Sequence, residues 1–208
     1  MRLASRPEAT VSLVEGREGA RLVALVDGLL DPEESRALES ATLASEGRFV
    51  DASIGGARED WRAGQVVYDP PDAALRVAER ARHVALELAE LLRLPLPEIA
   101  DVERQLTAYR DGSFYKRHTD SRGPDARRRT LSWVHYFTCT KPKAFEGGEL
   151  CVWDDDEPYD HAPYVIEPHD GLTAFFGSSL DHEVRMTRVP SGRFADSRFT
   201  VNGWVWRP

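Results

Sequence analysis

The sequence is short of cysteine, of positive charge and of long apolar runs. Its 208 residues contain two cysteines, Cys139 and Cys151, too few for a disulfide framework, which indicates a reducing compartment. Lys and Arg number 27 against 35 Asp and Glu, and this net charge of -8 disfavours nucleic acid as a partner. No 18-residue uncharged apolar run and no signal-peptide core occur, so we expect no membrane span and a cytoplasmic location.

What is present fits one folded domain spanning residues 1–208. A chain of this length with 41% hydrophobic residues can bury a core without disulfides or metal staples. The composition changes near residue 100, from helical periodicity to short runs rich in Val, Thr, Tyr, Phe and Trp. We therefore expect an α+β fold, with residues 1–100 giving mainly helical support and a lid loop, and residues 101–208 forming a β-rich core.

The first half is predicted to hold one early strand, at residues 21–26, and two helices. Asp31-Pro32-Glu33-Glu34 has the form of a capping box and starts a helix that reaches about residue 43. Apolar residues at three- and four-residue steps predict a second helix over 72–94. Between them, the glycine-rich stretch 52–64 reads as an exposed loop of the kind that forms lids, and 65–68 as a short strand.

The second half is predicted to be all β. Seven short strands of this kind suit a jelly roll or barrel packed on the helices. The candidate strands are 102–109, 130–138, 148–152, 164–167, 172–176, 182–189 and 198–206.

His118-Thr119-Asp120 is the sharpest chemical signal. In an extended segment, residues two apart project to the same face, so this histidine and this aspartate can meet one ion together. His182, at the start of a later predicted strand, is the best candidate for a third ligand. Two imidazoles and one carboxylate on one face, with open positions, form the facial triad of non-haem Fe(II) oxygenases.

Arg198 is the candidate partner for an anionic co-substrate. It begins an alternating strand in which Arg198, Thr200 and Asn202 share one face. A chelating anion near such a metal needs a paired cation. Arg193 is the competing residue and lacks the strand context.

These pieces occur in an order that resembles the prolyl 4-hydroxylase branch of the iron(II)- and 2-oxoglutarate-dependent dioxygenases. The resemblance covers residues 105–206. The matching pieces are Tyr109 to Asp120 (YRDGSFYKRHTD), Arg129-Thr130 leading to Tyr136, Glu146 to Leu150 (EGGEL), Pro168 to Gly171 before Phe175-Phe176, His182-Glu183-Val184, and Arg198 with Trp204.

The resemblance implies a double-stranded β-helix core and an Fe(II) ion held by the three predicted ligands. It further implies 2-oxoglutarate as co-substrate, with Arg198 on its distal carboxylate, and O2, with ascorbate as an optional reductant. Tyr136 matches the tyrosine that helps hold that distal carboxylate, and Tyr109 the tyrosine near the metal-bound end. The implied reaction hydroxylates a C–H bond and releases succinate and CO2.

Three questions stay open on the sequence. Arg198 follows His182 by sixteen residues, where the family more often has about ten, so Arg193 remains an alternative anchor. The arginines of loop 122–129 read as a solvated surface, or as a patch that attracts an acidic substrate or partner. The expected substrate is a peptidyl prolyl residue or a small proline-like molecule. Two other functions compete with the oxygenase hypothesis: a non-catalytic β-helix module that binds a metabolite or partner, and a cupin-like zinc enzyme.

Overall fold

The computed structural model describes residues 1–52, 61–124, 126–154 and 161–208. Two α-helices, three 3-10 turns and fifteen strands form within these ranges. They are β1 (Thr10–Glu15), a 3-10 turn (Arg17–Gly19), β2 (Arg21–Asp27), α1 (Pro32–Ala44), a 3-10 turn (Glu46–Arg48), β3 (Val50–Asp51), β4 (Arg62–Ala63), β5 (Gln65–Val67), α2 (Asp72–Leu91), β6 (Asp101–Tyr109), β7 (Phe114–His118), β8 (Arg129–Phe137), β9 (Glu146–Gly147), β10 (Leu150–Val152), β11 (Tyr164–Ile166), β12 (Thr173–Gly177), β13 (His182–Val184), β14 (Thr187–Arg188), a 3-10 turn (Phe194–Asp196) and β15 (Arg198–Trp206).

Two sheets form the core of the fold. The larger has eight strands in the order β1-β2-β12-β8-β15-β6-β5-β3, and the smaller has five in the order β11-β10-β13-β7-β4. Residues of both sheets, including Tyr136 and Phe176 of the larger and Leu150 and Val152 of the smaller, share one apolar cluster. The sheets therefore face each other, which is the double-stranded β-helix that the resemblance implied.

The helices cover the outer face of the larger sheet. Helix α1 begins as predicted, because the Asp31 carboxylate accepts hydrogen bonds from the backbone N–H groups of Glu33 and Glu34, at 2.8 and 2.9 Å. Helix α2 packs on β6, β8 and β15. It ends at Leu91 rather than at residue 94, since Arg93 takes a left-handed conformation with φ of 57°.

Strand β15 places its large apolar side chains and its polar side chains on opposite faces of the larger sheet. Phe199, Val201 and Val205 lie in the helix-side core. Arg198 and Asn202 point the other way and line a cavity between the sheets. This alternation is what a period of two requires, and the structure confirms the predicted shared face.

Several predicted strands were wrong in detail. The prediction of one early strand missed Thr10–Glu15, a mostly exposed edge strand that pairs with Arg21–Asp27 and has no strong apolar pattern. The predicted strand 182–189 is two strands, because β13 pairs with β7 and β10 whereas β14 pairs with β9. The candidate strands omit β7, which ends at His118 and includes part of the extended segment predicted there.

Two sequence predictions fall partly outside the described residues. Residues 53–60 include most of the predicted lid loop, and residue 125 belongs to the predicted basic loop 122–129. Neither helix in the described ranges combines the length and apolar character needed to cross a bilayer.

Candidate active site

A cavity of about 690 Å³ opens between the two sheets. All six predicted site residues line it: His118, Asp120, His182, Arg198, Tyr136 and Tyr109. They come from β6, β7, β8, β13, β15 and the turn after β7, so strand pairing brings together residues up to 89 positions apart, from Tyr109 to Arg198.

His118, Asp120 and His182 form a compact cluster at one part of this cavity. His118 ends β7 and His182 begins β13, and the two are direct cross-strand partners. Asp120 follows β7 by two residues, and its backbone N–H donates to the Ser178 carbonyl at 2.9 Å. One ligand atom from each of the three side chains lies within 4.8 Å of the others. This spacing suits three ligands of one metal ion.

Backbone carbonyls orient both imidazoles. The Nδ1–H of His118 donates to the Lys116 carbonyl at 2.7 Å, and the Nδ1–H of His182 donates to the Leu180 carbonyl at 2.9 Å. A carbonyl oxygen only accepts, so Nδ1 carries a proton in each ring and Nε2 is the nitrogen that faces Asp120. Such bonds from the second ring nitrogen are the usual support of metal-binding histidines.

The Asp120 carboxylate is held in place by a hydroxyl. The Ser132 O–H donates to Asp120 Oδ2 at 2.7 Å, and Ser178 Oγ lies 3.0 Å from Ser132 Oγ. Oδ2 also lies 3.4 Å from His182 Nε2, and Oδ1 lies 3.7 Å from His118 Nε2. Ser132 therefore fixes one oxygen while both oxygens stay close to the imidazoles.

Burial and mutual charge set the protonation of the cluster. Burial alone raises the pKa of Asp120, but the adjacent His182 and His118 overcome it and hold that pKa well below its usual range. Burial lowers the pKa of His118, and the neighbouring His182 charge adds to this effect. Burial also opposes protonation of His182, yet the Asp120 charge raises its pKa. Asp120 thus stays ionised, as a metal ligand must.

Arg198 is a buried cation at another part of the cavity. Its residue is 1% exposed, and its guanidinium carbon lies 4.9 Å from the ring centroids of both Tyr109 and Tyr136. Among the described residues, neither Arg198 Nε nor Tyr136 Oη has a hydrogen-bond partner. Burial raises the pKa of Tyr136 to about 12, so its hydroxyl keeps its proton at neutral pH. A buried cation with an unsatisfied donor beside a protonated hydroxyl is an arrangement that suits an anion.

The alternative anchor, Arg193, lies elsewhere. Its side chain is 68% exposed and forms an ion pair with Asp196, with Nε 2.8 Å from Oδ2. The segment before β15 contains a 3-10 turn, Phe194–Asp196, which takes up the extra residues between His182 and Arg198. The geometry places Arg198, and not Arg193, in the cavity.

A glycine makes the position of Arg198 possible. Gly148 has φ of +72°, and a Cβ there would overlap Arg198 Cδ and lie 2.9 Å from Arg198 Nε. Only a residue without a side chain leaves this room and accepts this backbone conformation without strain.

The described residues fit an Fe(II) ion and a dicarboxylate. Two imidazoles and one ionised carboxylate are the donor set of non-haem Fe(II) sites. A buried guanidinium whose Nε has no hydrogen-bond partner among the described residues, with a protonated tyrosine hydroxyl beside it, suits a carboxylate, which accepts from both. Both groups line the same cavity as the three potential ligands.

Sequence reasoning missed the residues that support these groups. No motif identifies Ser132 as a site residue, although it lies four residues before Tyr136 on β8 and so shares its face. The sequence predicts Arg129 at the end of the basic loop 122–129. In the structure its guanidinium pairs with Glu103, 2.6 Å away, and donates to the Asp120 carbonyl at 3.3 Å. The signal that could have found Ser132 is the period-two alternation of its strand.

The other histidines lie outside the cluster. His135 is buried on β8 and its Nδ1 lies 2.9 Å from Thr173 Oγ1. His83 is exposed on α2, and its Nε2 contacts the Ser5 carbonyl at 2.9 Å.

Comparison with known proteins agrees with this geometry. Residues 104–206 match the family model described as the 2OG-Fe(II) oxygenase superfamily. A protein named as an uncharacterised PKHD-type hydroxylase, from Synechocystis sp., is 32% identical over 187 residues, which cover 86% of this chain. The match covers 61% of the length of that curated relative.

Solved structures show the same fold. A Pseudomonas putida prolyl-4-hydroxylase is 25% identical with a TM-score of 0.67, over 89% of this chain and 92% of that one. A Trichoplax adhaerens prolyl hydroxylase, solved with a peptide of hypoxia inducible factor, is 17% identical with a TM-score of 0.62, over 88% of this chain and 83% of that one. The family model and the curated relative confirm the family that the motifs predicted, and the solved structures confirm the fold. The chain therefore belongs to the 2OG-Fe(II) oxygenase superfamily, in its prolyl 4-hydroxylase-like branch, whose chemistry uses Fe(II), 2-oxoglutarate and O2.

Proposed function

We propose that this chain is an Fe(II)- and 2-oxoglutarate-dependent dioxygenase that hydroxylates a C–H bond of a prolyl residue or of a small proline-like molecule. One observation carries the proposal. The cavity that holds the His118, Asp120 and His182 cluster also holds Arg198, a buried cation whose Nε has no hydrogen-bond partner among the described residues. Membership of the family supports the same reaction.

The three clustered residues are proposed to hold the metal. His118 and His182 would each give Nε2, because each Nδ1–H is already committed to a backbone carbonyl. Asp120 would give one carboxylate oxygen while Ser132 holds Oδ2. When bound, Fe(II) supplies the redox chemistry in which O2 and 2-oxoglutarate yield succinate, CO2 and a hydroxylated substrate.

Arg198 is proposed to bind the distal carboxylate of 2-oxoglutarate, with Tyr136 donating its hydroxyl to the same group. Tyr109 packs on the Arg198 guanidinium and limits its movement. These rings also keep water away from the ion pair, which strengthens it. A co-substrate held in this way is oriented before the substrate arrives, and orientation lowers the barrier of the later step.

The remaining parts of the proposal concern the surroundings of the reaction. The Trichoplax adhaerens structure contains a peptide, which supports a peptidyl substrate here. Ascorbate is proposed as the reductant that restores Fe(II) after unproductive turnover. We further propose that residues 1–208 act as one domain, and that the enzyme works in the cytoplasm, where its two free thiols stay reduced.

The test is O2-dependent conversion of 2-oxoglutarate to succinate, measured with carbon-labelled co-substrate. The wild-type chain with Fe(II) should produce succinate slowly alone, and faster with a prolyl peptide whose mass rises by one oxygen atom. His182→Ala should abolish both activities, and Arg198→Ala should weaken 2-oxoglutarate affinity by about 10- to 100-fold, as expected for lost hydrogen bonds to a charged group. Arg193→Ala is the matched control and should behave as the wild type. Folded, iron-loaded protein that makes no succinate would contradict the proposal.

A further inference from the structure

We infer that the substrate presents a carboxylate beside the carbon that is hydroxylated, and that Arg62 binds this carboxylate. The inference rests on the proposed function, because it names the chemistry of the molecule that the same cavity accepts. Three observations carry it: the charge of the cavity, the position of Arg62 and the lack of an acidic partner for that residue.

The cavity is positively charged although the chain is acidic. Four arginines line it, Arg62, Arg122, Arg129 and Arg198, together with one carboxylate, Asp120. Glu103 neutralises Arg129 through an ion pair of 2.6 Å. A doubly charged metal and a doubly charged 2-oxoglutarate cancel each other. The loaded cavity therefore keeps an excess of positive charge in a chain whose net charge is -8, and this excess favours an anionic substrate.

Arg62 lies close to the metal-binding cluster. Strand β4 pairs with β7 so that Arg62 is directly opposite Tyr115. The Arg62 guanidinium carbon lies 4.9 Å from the Tyr115 ring centroid. Tyr115 in turn stacks on the imidazole of His118, with 3.5 Å between centroids and an interplanar angle of 17°. One aromatic ring thus separates this guanidinium from a proposed metal ligand.

Arg62 has no acidic partner among the described residues. Its Nε is buried without a hydrogen-bond partner. Neighbouring arginines differ, because Arg117 pairs with Asp181 at 2.8 Å and Arg129 with Glu103. A buried guanidinium nitrogen without a partner carries a desolvation cost that a ligand carboxylate can offset, and the planar fork of arginine matches a carboxylate in two bonds. Arg122, exposed at the cavity rim, adds attraction without fixing a position.

The carboxylate can come from two sources, an acidic side chain next to a prolyl residue or the free carboxylate of a small molecule. Two pairs of probes separate them. The first pair is the capped peptide Ala-Pro-Asp-Ala and the same peptide with Asn in place of Asp. The second pair is L-proline and L-prolinamide.

Binding is measured by calorimetry with Mn(II) in place of Fe(II) and with 2-oxoglutarate present, so that affinity is read without turnover. We expect the wild-type chain to bind the carboxylate member of one pair about tenfold more tightly than its amide, and this preference to weaken at high salt. Arg62→Gln should bind both members equally, and Arg62→Lys should keep part of the preference, since it retains the charge but not the fork. The control Arg127→Gln changes an exposed arginine outside the cavity and should leave the preference intact.

Each outcome decides the inference. A preference confined to the peptides assigns the carboxylate to an acidic side chain, and one confined to proline assigns it to a small molecule. Three outcomes overturn the inference while the proposed function stands. They are equal binding of the acid and the amide, a preference for the acid that persists in Arg62→Gln, and no binding of any of the four probes. Protein that takes up neither Mn(II) nor 2-oxoglutarate overturns the proposed function, and this inference with it.

Discussion

At the scale of single residues, the position of Arg198 depends on the absence of a side chain at Gly148. We predict that Gly148→Ala displaces Arg198, because a Cβ would overlap Arg198 Cδ. The affinity for 2-oxoglutarate should fall by about 10- to 100-fold while metal binding persists, as measured by calorimetry. Gly171→Ala is the matched control: its φ of +83° gives the same kind of backbone strain, but a Cβ there has nothing within 4 Å. Equal losses in the two variants would show that strain alone is responsible.

Ser132 gives a second prediction at this scale. Its hydroxyl donates to Asp120 Oδ2 at 2.7 Å, so Ser132→Ala should free the carboxylate and weaken metal affinity by about 10- to 100-fold. Equilibrium titration with Mn(II) measures this directly. Ser121→Ala, one residue after Asp120, serves as the control and should bind metal as the wild type does. Unchanged affinity in Ser132→Ala would remove this serine from the support of the site.

The residues that the sequence identified and those that it missed differ in a physical way. His118, Asp120 and His182 carry distinctive chemistry, so their types and spacing are informative without a structure. Ser132 and Arg62 have common side chains whose meaning comes from what lies opposite them, Asp120 in one case and Tyr115 in the other. Cross-strand neighbours are far apart in the chain, and no local pattern records them.

At the scale of the elements, two strands of the larger sheet approach closely at Gly203. A Cβ at this position of β15 would overlap the Glu103 carbonyl of β6 and lie 2.8 Å from Trp133 Cζ2 of β8. We predict that Gly203→Ala lowers the free energy of unfolding by about 3 kcal/mol, the upper part of the usual range for overpacking. Urea unfolding measures it. Gly47→Ala, where a Cβ meets nothing within 4 Å, is the control and should have little effect.

A buried histidine between β8 and β12 gives a pH prediction. Burial lowers the pKa of His135 to about 4, from an ordinary 6.5. Between pH 6.5 and pH 4, His135 is protonated in the unfolded chain but stays neutral in the folded chain. The free energy of unfolding therefore falls as the pH falls through this range, and the decrease ends near pH 4. The loss should reach about 3 kcal/mol, at 1.36 kcal/mol per pKa unit.

Urea unfolding of the wild type and of His135→Asn across this pH range tests the assignment. The variant has no imidazole at this position, so its stability should fall less steeply between pH 6.5 and 4. His83→Asn changes an exposed histidine and should keep the wild-type slope. Parallel slopes for the wild type and His135→Asn would show that another group controls the acid response.

Elements with local signals were predicted well, and elements defined by pairing were not. The capping box fixed the start of α1, and the alternating pattern of residues 198–206 matches β15 at both ends. Strands β3 and β4 have two residues each, and they exist because β5 and β7 offer them free edges. So short a segment has no periodicity of its own.

At the scale of the whole molecule, the two halves of the chain form one structure. Strands β1 and β2 extend the larger sheet from β12, and α2 packs on the face of β6 and β15 that lies opposite the cavity. The first half was expected to give mainly helices, yet it also supplies β4, which carries Arg62 into the cavity wall. The support and the site therefore cannot be separated at residue 100.

The central claim is that one cavity binds Fe(II) and 2-oxoglutarate together. The most direct measurement is an anaerobic titration with both, followed by the weak visible charge-transfer band of their chelate. The wild type should show the band, His182→Ala should lose it with the fold retained, and Arg198→Ala should need about 10- to 100-fold more 2-oxoglutarate to produce it. Folded protein that binds Fe(II) but gives no band at any concentration of 2-oxoglutarate would contradict the account.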